Sequence, residues 1–203
     1  LSGVSKAIVQ PLLSWYDAGH RDLPWRSEPA PYRVWVSEIM LQQTRVEAVR
    51  GYFSRWMNAL PDIPALAAAD EAVYTKLWEG LGYYSRVRNL HRAAVLLCEE
   101  YGGELPADYD RLLALPGVGE YTAGAVASIA FGLPVPAVDG NVLRVAARLD
   151  NDFTPITDAK FKKQTRERFA ALMPSDRPGD LNQSLMELGA TVCLPNGAPH
   201  CDD

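Results

Sequence analysis

LPGVGEYTAG, residues 115–124, decides how this chain folds and what it does. Gly117 and Gly119 follow Pro116 and precede the small-residue run TAGAVASIAFG. Glycine is costly inside a helix, so two at the mouth of one point to a backbone that must turn sharply or approach something closely. The first N–H groups of a helix have no partner within it, and the helix dipole is positive there. A glycine loop feeding such an end can take an anion by main-chain amides alone. The same residues would also serve a tight αα-turn with glycine at the C-cap. Upstream, DYDRLLAL reads as a short helix capped by Asp108, so the segment as a whole predicts a helix–hairpin–helix.

Outward from this motif the pattern is helical almost throughout. VSKAIVQPLLSWYDAG carries apolar residues at helical spacing and ends at Gly19. YRVWVSEIMLQQTRVEAVRGYFSRWMNAL predicts two helices broken near Gln42 to Thr44. DEAVYTKLWEGLG and SRVRNLHRAAVLLCEEYGG each stop at glycines, while NVLRVAARL, DAKFKKQTRERFAALMP and DLNQSLMELGATVC predict three later helices. VPAVDGNV is short and proline-bearing, which argues against a strand. The chain is therefore expected to be all-α.

The net charge of −5 argues against a polyanionic partner, but charge can be segregated. Gly80 to Cys98 contains three arginines, a histidine and no acid. That is either a solvated helix face or a basic patch with aromatic neighbours of the kind that meets phosphates and bases, in which case Arg86, Arg88 and Arg92 would each add to the salt dependence of binding. No run of 18 apolar residues predicts a membrane span, and the N-terminus lacks the layout of a secretory signal. The expected location is the cytoplasm, at the bacterial nucleoid. Cys98 lies in an apolar run and reads as an ordinary buried thiol, and an odd cysteine count argues against a disulfide framework.

Two carboxylates stand in unusual company. Glu38 has Val34, Trp35, Leu41 and Gln42 at helical spacing; a carboxyl on such a face is expected to be desolvated, with a raised pKa that lets it act as an acid. Asp139 follows an apolar run and precedes Gly140, where it reads as a helix N-cap; N-terminal amides are expected to hold its pKa low. An acid for the leaving group and a carboxylate for the cationic sugar are the minimum for breaking a glycosidic bond.

Together LPWR (23–26), PYRVWVSEIMLQQTRVE (31–47), LWEGLGYYSRVRNLH (77–91), LPGVGEYTAGAVASIA (115–130), VDGNVLRV (138–145) and LNQSLMELGATVC (181–193) resemble the adenine DNA glycosylases of the MutY family, within the helix–hairpin–helix glycosylase superfamily. The resemblance runs from about Leu13 to Cys201. It implies a two-lobed fold: a six-helix-barrel lobe at 26–133, and a second helical lobe of 1–25 plus 134–203 that carries an iron–sulfur region at its C-terminal end. It implies a base-excision-repair enzyme that flips and hydrolytically removes adenine mispaired with 8-oxoguanine or guanine, acting as a monomer on double-stranded DNA. Base extrusion is needed because the bond is inaccessible in the stack.

By the same resemblance Glu38 protonates the adenine, and Asp139 stabilises the oxocarbenium ion. Tyr121 and Asn141 support Asp139 and the sugar, Arg26 and Gln183 line the base pocket, and Gln43 and Tyr83 fill or wedge the stack. Arg86, Gly117 and Gly119 contact DNA. The sister family resembling endonuclease III carries a lysine where this chain has Tyr121; a tyrosine forms no Schiff base, so hydrolysis without strand cleavage is expected. Cys193 and Cys201 match two of the four ligands of a [4Fe–4S] cluster. Full-length members carry a further domain that reads 8-oxoguanine, so the chain is expected to be the catalytic portion. Alternative readings are a relative acting on T or U opposite G, and a catalytically inactive helix–hairpin–helix DNA-binding module.

Overall fold

The computed structural model describes residues 5–201. After a 3-10 turn at Lys6–Ile8 come α1 (Val9–Gly19), α2 (Pro31–Leu41), α3 (Val46–Ala59), α4 (Ile63–Ala67), α5 (Glu71–Trp78) and α6 (Ser85–Tyr101). They are followed by α7 (Tyr109–Leu113), α8 (Glu120–Phe131), α9 (Gly140–Asp150), α10 (Ala159–Ala170) and α11 (Pro178–Thr191). No strand occurs among the described residues, and no helix there is long and apolar enough to cross a membrane. The break expected near Gln42 to Thr44 separates α2 from α3. Helix α4 was not expected. Five residues are too few to show a period, and what makes it is a cap: the Asp62 carboxylate accepts from the Ala65 N–H at 2.7 Å.

The chain divides into two compact units, residues 22–126 and the remainder. The boundaries fall at 21/22 and 126/127, where the resemblance implied 25/26 and 133/134. The reason for the later one is packing. A Cβ on Gly179 of α11 would lie 2.7 Å from both Ile129 Cα and Ser128 O, so the last turns of α8 are held against α11 at backbone distance.

Unit 22–126 is built around large aromatic residues. Trp35, Trp56, Trp78 and Phe53 are fully buried, and Trp56 and Trp78 meet edge to face at 5.7 Å. Their polar atoms are not all buried bare: Trp56 Nε1 donates to Tyr32 Oη at 3.0 Å, and that hydroxyl donates to Leu60 O at 2.9 Å. The hairpin closes this unit. Asp108 caps α7 by accepting from the Arg111 N–H at 2.9 Å, as expected, and Val118 N–H donates to Leu115 O across the turn. Only one of the two glycines needs to be glycine for its dihedrals. Gly117 has φ +75°, whereas Gly119 lies outside the left-handed region and a Cβ there would meet open space.

The other unit is a smaller bundle in which α1 and α9 both pack on α11. Leu12 and Leu13 of α1, Val142, Val145 and Ala146 of α9, and Leu181 and Leu185 of α11 make its core, with Phe169 of α10.

Candidate active site

Unit 22–126 holds Glu38 in the middle of α2, buried at 6% exposure. Its Oε2 accepts from the Tyr121 hydroxyl at 2.7 Å. One turn along, Gln42 Nε2 donates to Thr122 Oγ1 at 3.3 Å, so α2 is tied twice to the first turn of α8. Tyr121 therefore sits where the hairpin turn ends because its phenol reaches the acid on α2. The resemblance placed Tyr121 with Asp139; its bond to Glu38 lies within one unit. Hairpin geometry and the orientation of Glu38 are thereby linked through four residues of chain, Val118 to Tyr121.

Asp139 lies in the other unit as the N-cap of α9. Its Oδ1 accepts from the Val142 N–H at 2.9 Å and its Oδ2 from Asn141 Nδ2 at 2.7 Å. Despite these bonds its pKa is raised: burial is the largest influence and outweighs the lowering by the Val142 and Asn141 hydrogen bonds and by the Arg144 charge. This corrects the expectation that N-terminal amides hold Asp139 low. That argument counted the amides and could not count the protein packed around them.

Three residues that sequence reasoning passed over hold this carboxylate in place. Arg144, one turn along α9, donates through Nη2 to Asn141 Oδ1 at 2.8 Å and to Gly189 O at 2.6 Å, and through Nε to Cys193 O at 2.7 Å. Asn182, 1% exposed, accepts from the Ala137 N–H at 3.0 Å and donates to Ser128 Oγ at 2.7 Å and Val135 O at 2.9 Å. It pins the proline-bearing segment that leads into Asp139, where neither helix nor sheet could satisfy the backbone. Gly189 lets α9 and α11 touch: a Cβ there would lie 2.6 Å from Asn141 Cβ and 3.0 Å from its Cα. Gly189→Ala is expected to cost about 1–3 kcal/mol as overpacking and to displace Asn141 from Asp139. A lower melting temperature together with a drop in activity per folded molecule checks it. The faint signal in the sequence was a glycine and an asparagine inside an otherwise helical run.

Gln43 (φ 57°) and Tyr83 (φ 45°) both adopt left-handed backbone on exposed loops, and Tyr83 is 65% exposed. Arg26 and Gln183 are half-buried, on the loop before α2 and on α11. Arg86 is engaged within the protein. It is half-buried, and its guanidinium donates to main-chain carbonyls at the end of α2 and in the loop before α6. Nor is Arg88 an unengaged cation, since Nε bonds Glu71 Oε1 at 2.9 Å across an exposed pair. Both side chains thus already have partners within the protein. Cys98 is half-buried rather than buried.

A [4Fe–4S] cluster takes four thiolates. The C-terminal segment described here presents Cys193, half-buried, and Cys201, exposed, both free. Among the described residues no three or more His, Cys, Asp or Glu side chains gather as metal ligands. The residues present therefore do not make up a cluster site by themselves.

With this geometry in hand, the comparisons with known proteins are specific. Residues 36–173 match the family model described as HhH-GPD superfamily base excision DNA repair protein. An adenine DNA glycosylase of Mus musculus is 47% identical over 94% of this chain and 39% of its own length. One from Homo sapiens is 47% identical over 91% of this chain and 35% of its own, and one from Mycolicibacterium smegmatis is 44% identical over 94% and 64%. The chain thus spans about two fifths or less of the mammalian relatives it matches. Among solved structures, a thermostable thymine-DNA glycosylase superposes with a TM-score of 0.85 at 27% identity, covering 98% of this chain and 91% of that one. Endonuclease III trapped on DNA superposes at 0.79 with 24% identity, covering 96% of this chain and 91% of that one, a likeness of fold.

Proposed function

The chain belongs to the HhH-GPD superfamily of base excision DNA repair proteins, and on that premise we propose that it removes adenine from mispairs in double-stranded DNA by hydrolysis, with 8-oxoguanine or guanine opposite. The observation that carries this reading is the Tyr121–Glu38 hydrogen bond at 2.7 Å. At the hairpin helix's first turn, where an amine would attack the sugar and cut the strand, stands a phenol that instead orients an acid.

In this mechanism Glu38 hands a proton to the adenine ring, which makes it a leaving group. Asp139, ionised, balances the positive charge that develops on the sugar as the bond breaks, and Asn141 and Arg144 keep it in place. Water completes the hydrolysis. The target nucleotide is extruded from the stack, with Gln43 and Tyr83 entering the gap and Arg26 and Gln183 against the base. The Gly117 turn and the N-terminus of α8 take a backbone phosphate. The enzyme works as a monomer.

Excision from duplexes carrying A opposite 8-oxoguanine, A opposite G, T opposite G and U opposite G tests the reading. Release of adenine without borohydride-trappable adduct is the expected result. The thymine-DNA glycosylase likeness at 27% identity favours a second reading, release of T opposite G, and the same panel decides between them.

The phosphate grip has its own test. Gly117→Ala places a side chain at φ +75° and a Cβ 2.7 Å from Asn89 Cβ, so the turn must shift. Affinity for undamaged duplex is expected to fall by roughly 1–2 kcal/mol, about tenfold in Kd, whatever the base pair. Unchanged Kd by fluorescence anisotropy would show that the turn only connects two helices.

A further inference from the structure

The loops that carry Gln43 and Tyr83 in unit 22–126 are both bonded to a single guanidinium. Arg86 Nη1 donates to Ile39 O at 3.0 Å, to Met40 O at 3.2 Å and to Gln42 O. Its Nη2 donates to Leu81 O at 2.9 Å, to Gly82 O at 3.3 Å and to Thr44 Oγ1 at 3.5 Å. The first set closes the C-terminal end of α2, where helix carbonyls lack partners, and reaches the residue before Gln43. In the second set Leu81 and Gly82 are the residues before Tyr83, and Thr44 is the residue after Gln43. The guanidinium also lies 5.3 Å from the Trp78 ring and 5.7 Å from the Tyr83 ring. Trp78 Nε1 braces the same loop by donating to Gly82 O at 3.0 Å.

Neither tip is held by the geometry its residue prefers. Gln43 and Tyr83 are side-chain-bearing residues in a backbone conformation that favours glycine, and both are exposed. An exposed aromatic on a braced tip is a surface on which a base can stack or a wedge that can enter between base steps. We propose that Arg86 is a positioning residue that locks the Gln43 and Tyr83 tips at one separation, so that the two side chains enter the duplex as a single tool. The proposal rests on the adenine-glycosylase reading. Only a planar fork can span the two loops; lysine keeps the charge but offers one compact ammonium. Arg86→Lys therefore separates bracing from charge.

The test uses the whole chain and three DNA probes. One is a duplex with 2-aminopurine opposite guanine, whose fluorescence rises when the base leaves the stack. The other pair carries adenine opposite 8-oxoguanine, or the same adenine as an unpaired bulge that is already loose. In Arg86→Lys the 2-aminopurine rise is expected to disappear. Excision of the paired adenine should fall roughly 10- to 10²-fold, as expected for displaced positioning groups, and that of the bulged adenine by clearly less. An equal loss on both adenines or a retained fluorescence rise overturns the proposal. Should the variant be partly unfolded, a cycle with Gln43→Ala and Tyr83→Ser decides. The Arg86→Lys effect, per folded molecule, shrinks in that background if it acts through the tips and adds if it does not. If the parent chain releases no adenine yet Arg86→Lys still abolishes the fluorescence rise, the glycosylase reading fails and the positioning role stands.

Discussion

Glu38→Gln is expected to abolish adenine release while leaving duplex binding close to that of the parent. The amide keeps the shape of the buried side chain and an oxygen for the Tyr121 hydroxyl, which now donates at 2.7 Å. It lacks only a proton to give. General acid catalysis is typically worth about 10² to 10⁴ in rate, and adenine is a poor leaving group without it. Single-turnover release at saturating enzyme, with binding measured separately, isolates the chemical step. Turnover like that of the parent would remove Glu38 from the mechanism.

Asp139→Asn is expected to bind mispaired DNA and fail to cleave it, with a loss of the order of 10² to 10³-fold, because the cationic sugar loses its counter-charge. The pH dependence follows from the direction of the Asp139 pKa. Burial raises it, so the ionised form needed for reaction is lost as pH falls through a value above the ordinary aspartate 3.8. The acidic limb of the rate profile should lie correspondingly high. Asn141→Ala removes one of the bonds that favour the ionised form, so the limb should move to still higher pH.

The same shift carries a stability consequence. A carboxylate whose folded pKa is raised disfavours folding when ionised. Its cost is absent below the unfolded pKa and present above the folded one. At pH 7 Asp139→Asn removes that charge and still caps α9, since asparagine is as good a cap as aspartate. Its melting temperature should be at or above the parent's while its activity is gone. A marked fall in melting temperature would show that Asp139 is there to hold the helix rather than to do chemistry.

Much of this was legible in the residues themselves. Helix ends are local events: Asp108 and Asp139 accept from amides three residues ahead, and Gly117 turns the chain at φ +75°. Such features need only the near sequence, so the all-α class, the hairpin and the α9 cap could be read directly. Helix α4 escaped because five residues carry no period. The absence of any need for glycine's dihedrals at Gly119 escaped because two glycines in one loop look alike.

What the chain determined by itself was which residues could do chemistry: two carboxylates, a phenol on the first turn after the hairpin, and a turn built for close approach. Only the tertiary structure decided what state and company they keep. Tyr121 meets Glu38, 83 positions away in sequence. Arg86, one of a row of arginines in the sequence, is spent on carbonyls 44 to 47 positions away. Asp139 is pushed toward its neutral form although it caps a helix. The physical reason is common to all three. Capping and turning depend on neighbours along the chain, whereas desolvation and the partners of a long side chain depend on what packs from elsewhere, which no local pattern encodes.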